Sequence, residues 1–281
     1  KQKKIGHTGT LDPAAEGVLP VCLGMGTRLC DMLTDRTKTY EAVMLLGMTT
    51  DTQDTTGEVL EDRHHAAMGL EEAAVTEAVL GYKGDYDQIP PMYSALKVDG
   101  KKLYELARAG KEVERQARQV QILEIRVDKV VLPRVWMTVT CSKGTYIRTL
   151  CHDIGGKLGC GGCMEHLTRT RVDRFSIEDS LTLDQLEQLR DQAAVESCIL
   201  PVEEALQSYP PLGCLPEADS LLHNGNPCFA RHLDWSQSDQ WKAGAEDGQM
   251  FRMYDSNHRF TGVYQYQKDR HWWKPWKMFL M

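Results

Sequence analysis

Residues 120–141 restrict the fold more than any other stretch. Val120 to Leu132 and Val135 to Cys141 read as two strands, and only Pro133 and Arg134 join them. Such a pair commits the chain to a sheet. Thr39 to Met48 reads as a third strand, ended by the polar run Thr49 to Gly57. Helical spacing covers Glu71 to Leu80 with Gly81 as its stop, then Leu103 to Ala109 and about Thr145 to Leu158. Thr182 is a sound N-cap for a helix through about Ala194. Residues 1–30, rich in Gly, Thr and Pro, read as a long structured loop around short apolar runs.

The composition shifts near Ser208-Tyr209-Pro210-Pro211, where acidic helical character gives way to aromatic, Gly-punctuated segments such as Gly262-Val263-Tyr264-Gln265-Tyr266. This predicts two domains, 1–208 and a small all-β module at 209–281. With 281 residues the chain is long enough for both. No stretch approaches the roughly 18 apolar residues of a membrane span, and no apolar run follows Lys1-Gln2-Lys3-Lys4 as a signal peptide requires. Nine cysteines, an odd number, read as buried free thiols of a reducing cytoplasm. Cys160 and Cys163 have C-x-x-C spacing, but a zinc site needs four ligands and no second such pair is present, so no metal is expected.

The net charge of −7 is unevenly spread. Residues 51–87 hold ten acids and two bases, and residues 176–206 hold eight acids and one base. The remainder is therefore basic, and two parts of it are dense. Residues 97–118 carry seven bases and four acids, and residues 143–174 carry six bases and three acids. A chain acidic overall can present a basic face to nucleic acid in this way, with Lys101, Lys102 and Lys143 as candidate phosphate contacts. The same stretches also fit merely solvated surfaces.

The sharpest motif is Gly6-His7-Thr8-Gly9-Thr10-Leu11-Asp12-Pro13, continuing to Gly17-Val18-Leu19-Pro20. It lacks the Lys of a phosphate-binding P-loop. Gly6-x-x-Gly9 matches the clamp of KH domains, but without the flanking helix pair. What remains is one acid, Asp12, in a loop that Gly makes tight and Pro makes stiff. Fixed direction and little hydration suit a nucleophile; an Asx-type turn residue has the same spacing. A second segment, Cys141-Ser142-Lys143-Gly144-Thr145-Tyr146-Ile147-Arg148, closes a strand and opens a helix. It offers a ring and a guanidinium, and an Arg can pair bidentately with a carboxylate and keep it ionised. A basic helix start facing solvent is the plainer alternative.

Taken together these residues resemble the TruB-type tRNA pseudouridine synthases of bacteria. The Gly6–Pro13 segment is similar to their active-site motif. The likeness continues in order through Lys38-Thr39-Tyr40, Gly47 to Asp54, Gln88-Ile89-Pro90-Pro91-Met92-Tyr93-Ser94-Ala95-Leu96-Lys97, Cys141 to Arg148, and Leu167-Thr168-Arg169-Thr170. The resemblance implies an α+β (mixed α/β) catalytic domain, its central, mainly antiparallel sheet flanked by helices, followed by a PUA-like all-β RNA-binding domain. It implies an isomerase acting on a T-loop uridine of tRNA, position 55, with Asp12 as nucleophile. Tyr40 falls on the ring that stacks on the target base, Arg148 on the partner of the Asp, and Tyr146 on a second packing ring. Leu167 falls on an apolar pocket residue and His7 on an RNA-loop contact. No cofactor is expected, because no electrons are transferred and the acid supplies the covalent step. The implied enzyme is a cytoplasmic monomer whose partner is the tRNA T arm, with no membrane and no obligatory protein partner. Family members carry a further strand and helix before the motif, so a sheet lacking one edge strand is expected here. Two other readings stay open: a tRNA-binding protein without catalysis, and a hydrolase that excises a flipped base.

Overall fold

Every second side chain of Lys38–Leu46 is buried: Lys38, Tyr40, Ala42, Met44 and Leu46. This period of two is what a strand covered on one face requires. In the computed structural model, which describes residues 2–236, 238, 241 and 245–280, that strand lies inside a seven-stranded sheet. The strands of this sheet are β1 (Glu16–Gly17), β2 (Lys38–Leu46), β3 (Gly84–Gln88), β4 (Arg118–Val131), β5 (Arg134–Cys141), β6 (Gly162–Val172) and β7 (Phe175–Ser176). Their order is β7-β6-β2-β5-β4-β3, all antiparallel, with β1 added parallel to β6. The sheet is thus mainly antiparallel, as the resemblance implies.

Two helices cover its buried face, α1 (Glu72–Leu80) and α3 (Ile147–Lys157), while α2 (Leu103–Arg108) follows a small hairpin, Lys97–Val98 with Lys101–Lys102. Val75 and Val79 of α1 and Leu150, Cys151 and Ile154 of α3 join Met44, Met137 and Val139 in one core. Gly155 lets α3 approach β6: a Cβ there would stand 2.2 Å from the Gly162 nitrogen. No larger residue fits. Strand β6 lies in a stretch that period alone did not mark. Its register shifts between Met164 and His166 and again between Arg169 and Arg171, and each shift breaks the alternation.

By packing, the chain divides into two compact units. One comprises His7–Pro20 and Asp31–Ser180; the other comprises Lys1–Gly6, Val21–Cys30 and Leu181–Met281. The first holds the seven-stranded sheet. The second holds α4 (Leu183–Asp191) and a six-stranded sheet formed by β8 (Pro211–Cys214), β9 (Cys228–Phe229), β10 (Leu233–Asp234), β11 (Met250–Tyr254), β12 (Phe260–Gln267) and β13 (Trp272–Met278). Its order is β9-β13-β12-β11-β8-β10, around a core of Leu212, Phe251, Met253, Tyr264, Tyr266 and Trp273. Thr182 caps α4 as read: its hydroxyl accepts from the Gln185 nitrogen at 3.2 Å, and Gln185 Oε1 accepts from the Thr182 nitrogen at 2.8 Å. The helix ends at Asp191, three residues short of the sequence reading.

All nine cysteines are free, and seven of them are buried. Among the described residues, Cys160 and Cys163 belong to no group of three or more His, Cys, Asp or Glu placed to hold a metal ion. No helix of the described residues is long and apolar enough to cross a membrane.

Candidate active site

Asp12 sits in the loop between the short strand Ile5–His7 and β1. Two tethers shape that loop. The Ala15 nitrogen donates to the Asp12 carbonyl at 2.9 Å, and β1 is docked on β6 with Gly17 opposite Arg169. Arg148 is the second residue of α3, its side chain only 4% exposed. Its fork meets the Asp12 carboxylate squarely: Nε donates to Oδ2 at 2.8 Å and Nη2 to Oδ1 at 2.9 Å. Nη1 donates to the Thr52 carbonyl and Nη2 also to the Tyr93 carbonyl, each at 2.9 Å. A planar guanidinium held at four points aims the carboxylate; a flexible ammonium cannot.

A second carboxylate stands at the same guanidinium. Asp54 is buried, and its Oδ2 lies 3.8 Å from Arg148 Nε. Its Oδ1 accepts from the Thr56 nitrogen, the Thr56 hydroxyl and the Thr52 hydroxyl. Arg148 is therefore shared between two acids of a turn and a loop far apart in sequence.

These groups open into a cavity of about 600 Å³, within the range of small-molecule pockets. Of the residues singled out from sequence, Asp12, Tyr40, Lys143, Tyr146, Arg148 and Leu167 all line it. Tyr40 is buried on β2, and burial pushes its phenol up to about 12. Burial also raises Tyr146, so both rings stand in the cavity as neutral phenols. Lys143 pairs with Asp35 at 2.8 Å at an exposed position.

His7, Lys101 and Lys102 do not line the cavity. His7 ends the strand Ile5–His7, where its Nδ1 accepts from the Gly9 nitrogen at 3.3 Å. Lys101 and Lys102 stand on the small hairpin before α2, with the Lys102 ammonium 5.3 Å from the Tyr104 ring centroid. The sequence reading assigned no role to Lys38, Asp54, Tyr93 or Arg169, although all four fall in the quoted blocks. Asp54 and Tyr93 meet Arg148, and Arg169 reaches Gly9 and Val18, all in other blocks, which is why spacing alone was silent on those three; Lys38 is held by the nearby carbonyls of Thr34 and Arg36.

The same fold occurs in solved H/ACA RNP and Cbf5 complexes. The chain superimposes on a protein of an H/ACA RNP bound to a substrate RNA containing 2′-deoxyuridine, with a TM-score of 0.71 and 21% identity over 100% of this chain and 77% of that one. A chain of a Cbf5-Nop10-Gar1 complex gives 0.69 and 23%, covering 99% and 77%. Residues 1–147 match the N-terminal domain of the TruB family pseudouridylate synthases, and residues 148–207 match the tRNA pseudouridylate synthase B C-terminal domain. The tRNA pseudouridine synthase B of Lachnoclostridium phytofermentans is 48% identical over 100% of this chain and 92% of its own length. That of Alkaliphilus oremlandii is 46% identical over 82% and 75%. The chain belongs to the TruB family of pseudouridylate synthases.

Proposed function

We propose that this chain isomerises a uridine in the T loop of tRNA to pseudouridine, with Asp12 as the nucleophile. The observation that carries the reading is the Asp12 carboxylate, gripped bidentately by Arg148 in the wall of a cavity that also holds Tyr40, Tyr146 and Leu167. A uridine within a folded loop hides its C5, so the base must be extruded to react. Tyr40 stacks on the extruded uracil; Tyr146 and Leu167 close the apolar walls. Asp12 then attacks, at ribose C1′ or at uracil C6. The N1–C1′ bond breaks, the uracil turns, a C5–C1′ bond forms, the bond to Asp12 breaks to return its free carboxylate, and the C5 proton is released while N1 gains one. Atoms and charge balance with no electron transfer, so the residues suffice without a cofactor.

His7 contacts the RNA loop in this reading, and Lys101, Lys102 and Lys143 meet phosphates. Residues 209–281 serve as a PUA-like RNA-binding module after a catalytic domain of 1–208. The enzyme works in the cytoplasm as a monomer without an obligatory protein partner. Mapping of modified nucleotides in a tRNA mixture incubated with the protein tests the proposal, with pseudouridine expected in the T loop. Free uracil in the reaction points instead to base excision, and tight binding with no modified nucleotide points to a tRNA-binding role.

A further inference from the structure

Five cationic side chains line the cavity, Lys38, Arg108, Lys143, Arg148 and Arg169, against two carboxylates, Asp12 and Asp54. Arg148 takes both carboxylates, Lys143 pairs with Asp35, and Arg108 lies over the Tyr104 ring. Lys38 and Arg169 are different. They are 8% and 2% exposed, and among the described residues neither forms an ion pair. The Lys38 ammonium donates to the carbonyls of Thr34 and Arg36 at 2.9 and 2.8 Å. Arg169 donates through Nε to the Val18 carbonyl at 2.7 Å and through Nη2 to the Gly9 carbonyl at 3.2 Å. Carbonyl dipoles soften a buried positive charge but leave it without a counter-ion, which is costly. Burial, and after it the repulsion of Arg169, hold the Lys38 ammonium below its ordinary pKa.

The two cations converge. A Cβ on Gly9 would lie 3.7 Å from Arg169 Nη1 and 3.8 Å from Lys38 Cε. Beside Gly9, the Thr8 hydroxyl is buried in the cavity wall with no hydrogen-bond partner among the described residues. They also flank the stacking ring. Lys38 stands two residues before Tyr40 on the same face of β2, and Arg169 on β6 is the register partner of Tyr40.

We propose that Lys38 and Arg169, with the spare Thr8 hydroxyl beside them, form a seat for one phosphodiester anion, that of the extruded nucleotide. A nucleotide whose base lies on Tyr40 carries its phosphates past the edge of that ring, where both cations stand. The inference rests on the cavity being a uridine site, and it adds that the pocket holds the nucleotide by its backbone as well as its base. An anion seated there supplies the missing counter-charge and fixes the sugar relative to Asp12.

The test uses T-arm hairpin RNAs carrying one uncharged methylphosphonate, either 5′ or 3′ of the target uridine. The neighbouring sugar is 2′-deoxy for stability, and each RNA is compared with the same deoxy RNA bearing a phosphate. Neutralising one of the two linkages should weaken binding to the wild-type protein by about 30-fold or more, the scale for breaking a buried charge pair. In Lys38→Met that same methylphosphonate should cost at least about 3-fold less than in wild type, because one of the two cations it pairs with is gone. Two full, additive losses overturn the seat, as does wild-type binding indifferent to both methylphosphonates. The second outcome stands even if Lys38→Met fails to fold. Product formation on the unmodified hairpin is scored separately. Pseudouridine made normally without any methylphosphonate penalty removes the seat and keeps the function; no pseudouridine at all removes the uridine reading and the seat with it.

Discussion

At the residue scale, the proposed reaction depends on how one carboxylate is held. Asp12 keeps a side chain 32% exposed while its partner Arg148 is almost wholly buried, so the acid faces the cavity and the base is locked behind it. Asp12→Asn preserves size and shape but cannot attack as a carboxylate. It should bind tRNA within a few-fold of wild type and form no pseudouridine over many wild-type turnovers. A tenth of wild-type product formation would rule out Asp12 as nucleophile. Arg148→Lys keeps the charge but loses the planar fork and most of its four acceptors. A displacement of about 1 Å can cost about 100-fold in rate, so single-turnover kinetics of Arg148→Lys should slow by at least that factor. A rate within 10-fold of wild type would mean that charge alone, and not aim, is what Arg148 supplies.

At the scale of elements, the Asp12 loop is positioned by a two-residue strand. Gly17 of β1 has φ +108°, and a Cβ there would lie 2.2 Å from the Arg169 carbonyl oxygen and 2.8 Å from its nitrogen. Just beyond, the Val18 nitrogen donates to that carbonyl at 2.8 Å, and Arg169 Nε returns a bond to the Val18 carbonyl. Gly17→Ala must break this pairing or strain the backbone, at about 1–3 kcal/mol. Urea denaturation should report that loss, and single-turnover assays should show a slower reaction, since the loop carrying Asp12 shifts with β1. Unchanged catalysis in a destabilised variant would separate the loop from its tether. The existence of β2, β4, β5, α1 and α3 was legible from apolar period and stop signals. Strand β6, which delivers Leu167 and Arg169, was not, because its two register shifts hide the alternation.

For the whole molecule, the charge pattern matters more than the net value of −7. The basic stretches carry Lys101 and Lys102 on a hairpin and Lys143 at the cavity. tRNA affinity should fall steeply with salt, since each phosphate contact releases counter-ions worth about 0.7–0.9 in the slope of log K against log salt. Lys143→Glu should lower both the affinity and that slope. Its own stability cost should be small, because the pair with Asp35 is exposed on both sides and surface ion pairs contribute little. A salt-independent affinity, or a slope untouched by reversal at Lys101, Lys102 and Lys143, would place the RNA elsewhere.

Read alone, the sequence determined the family, six of the residues that line the pocket and the presence of a sheet. Motifs such as Gly6–Pro13 and Cys141–Arg148 are local, and their residue types and spacing survive without any fold. Only the tertiary structure decided which of those residues act on one another. Arg148 reaches Asp12 across 136 positions, and it reaches Asp54 through a turn that no period marks. Lys38 and Arg169 became neighbours only when β2 and β6 paired. Charge interactions depend on distance and on burial, and both quantities exist only once the strands are in register.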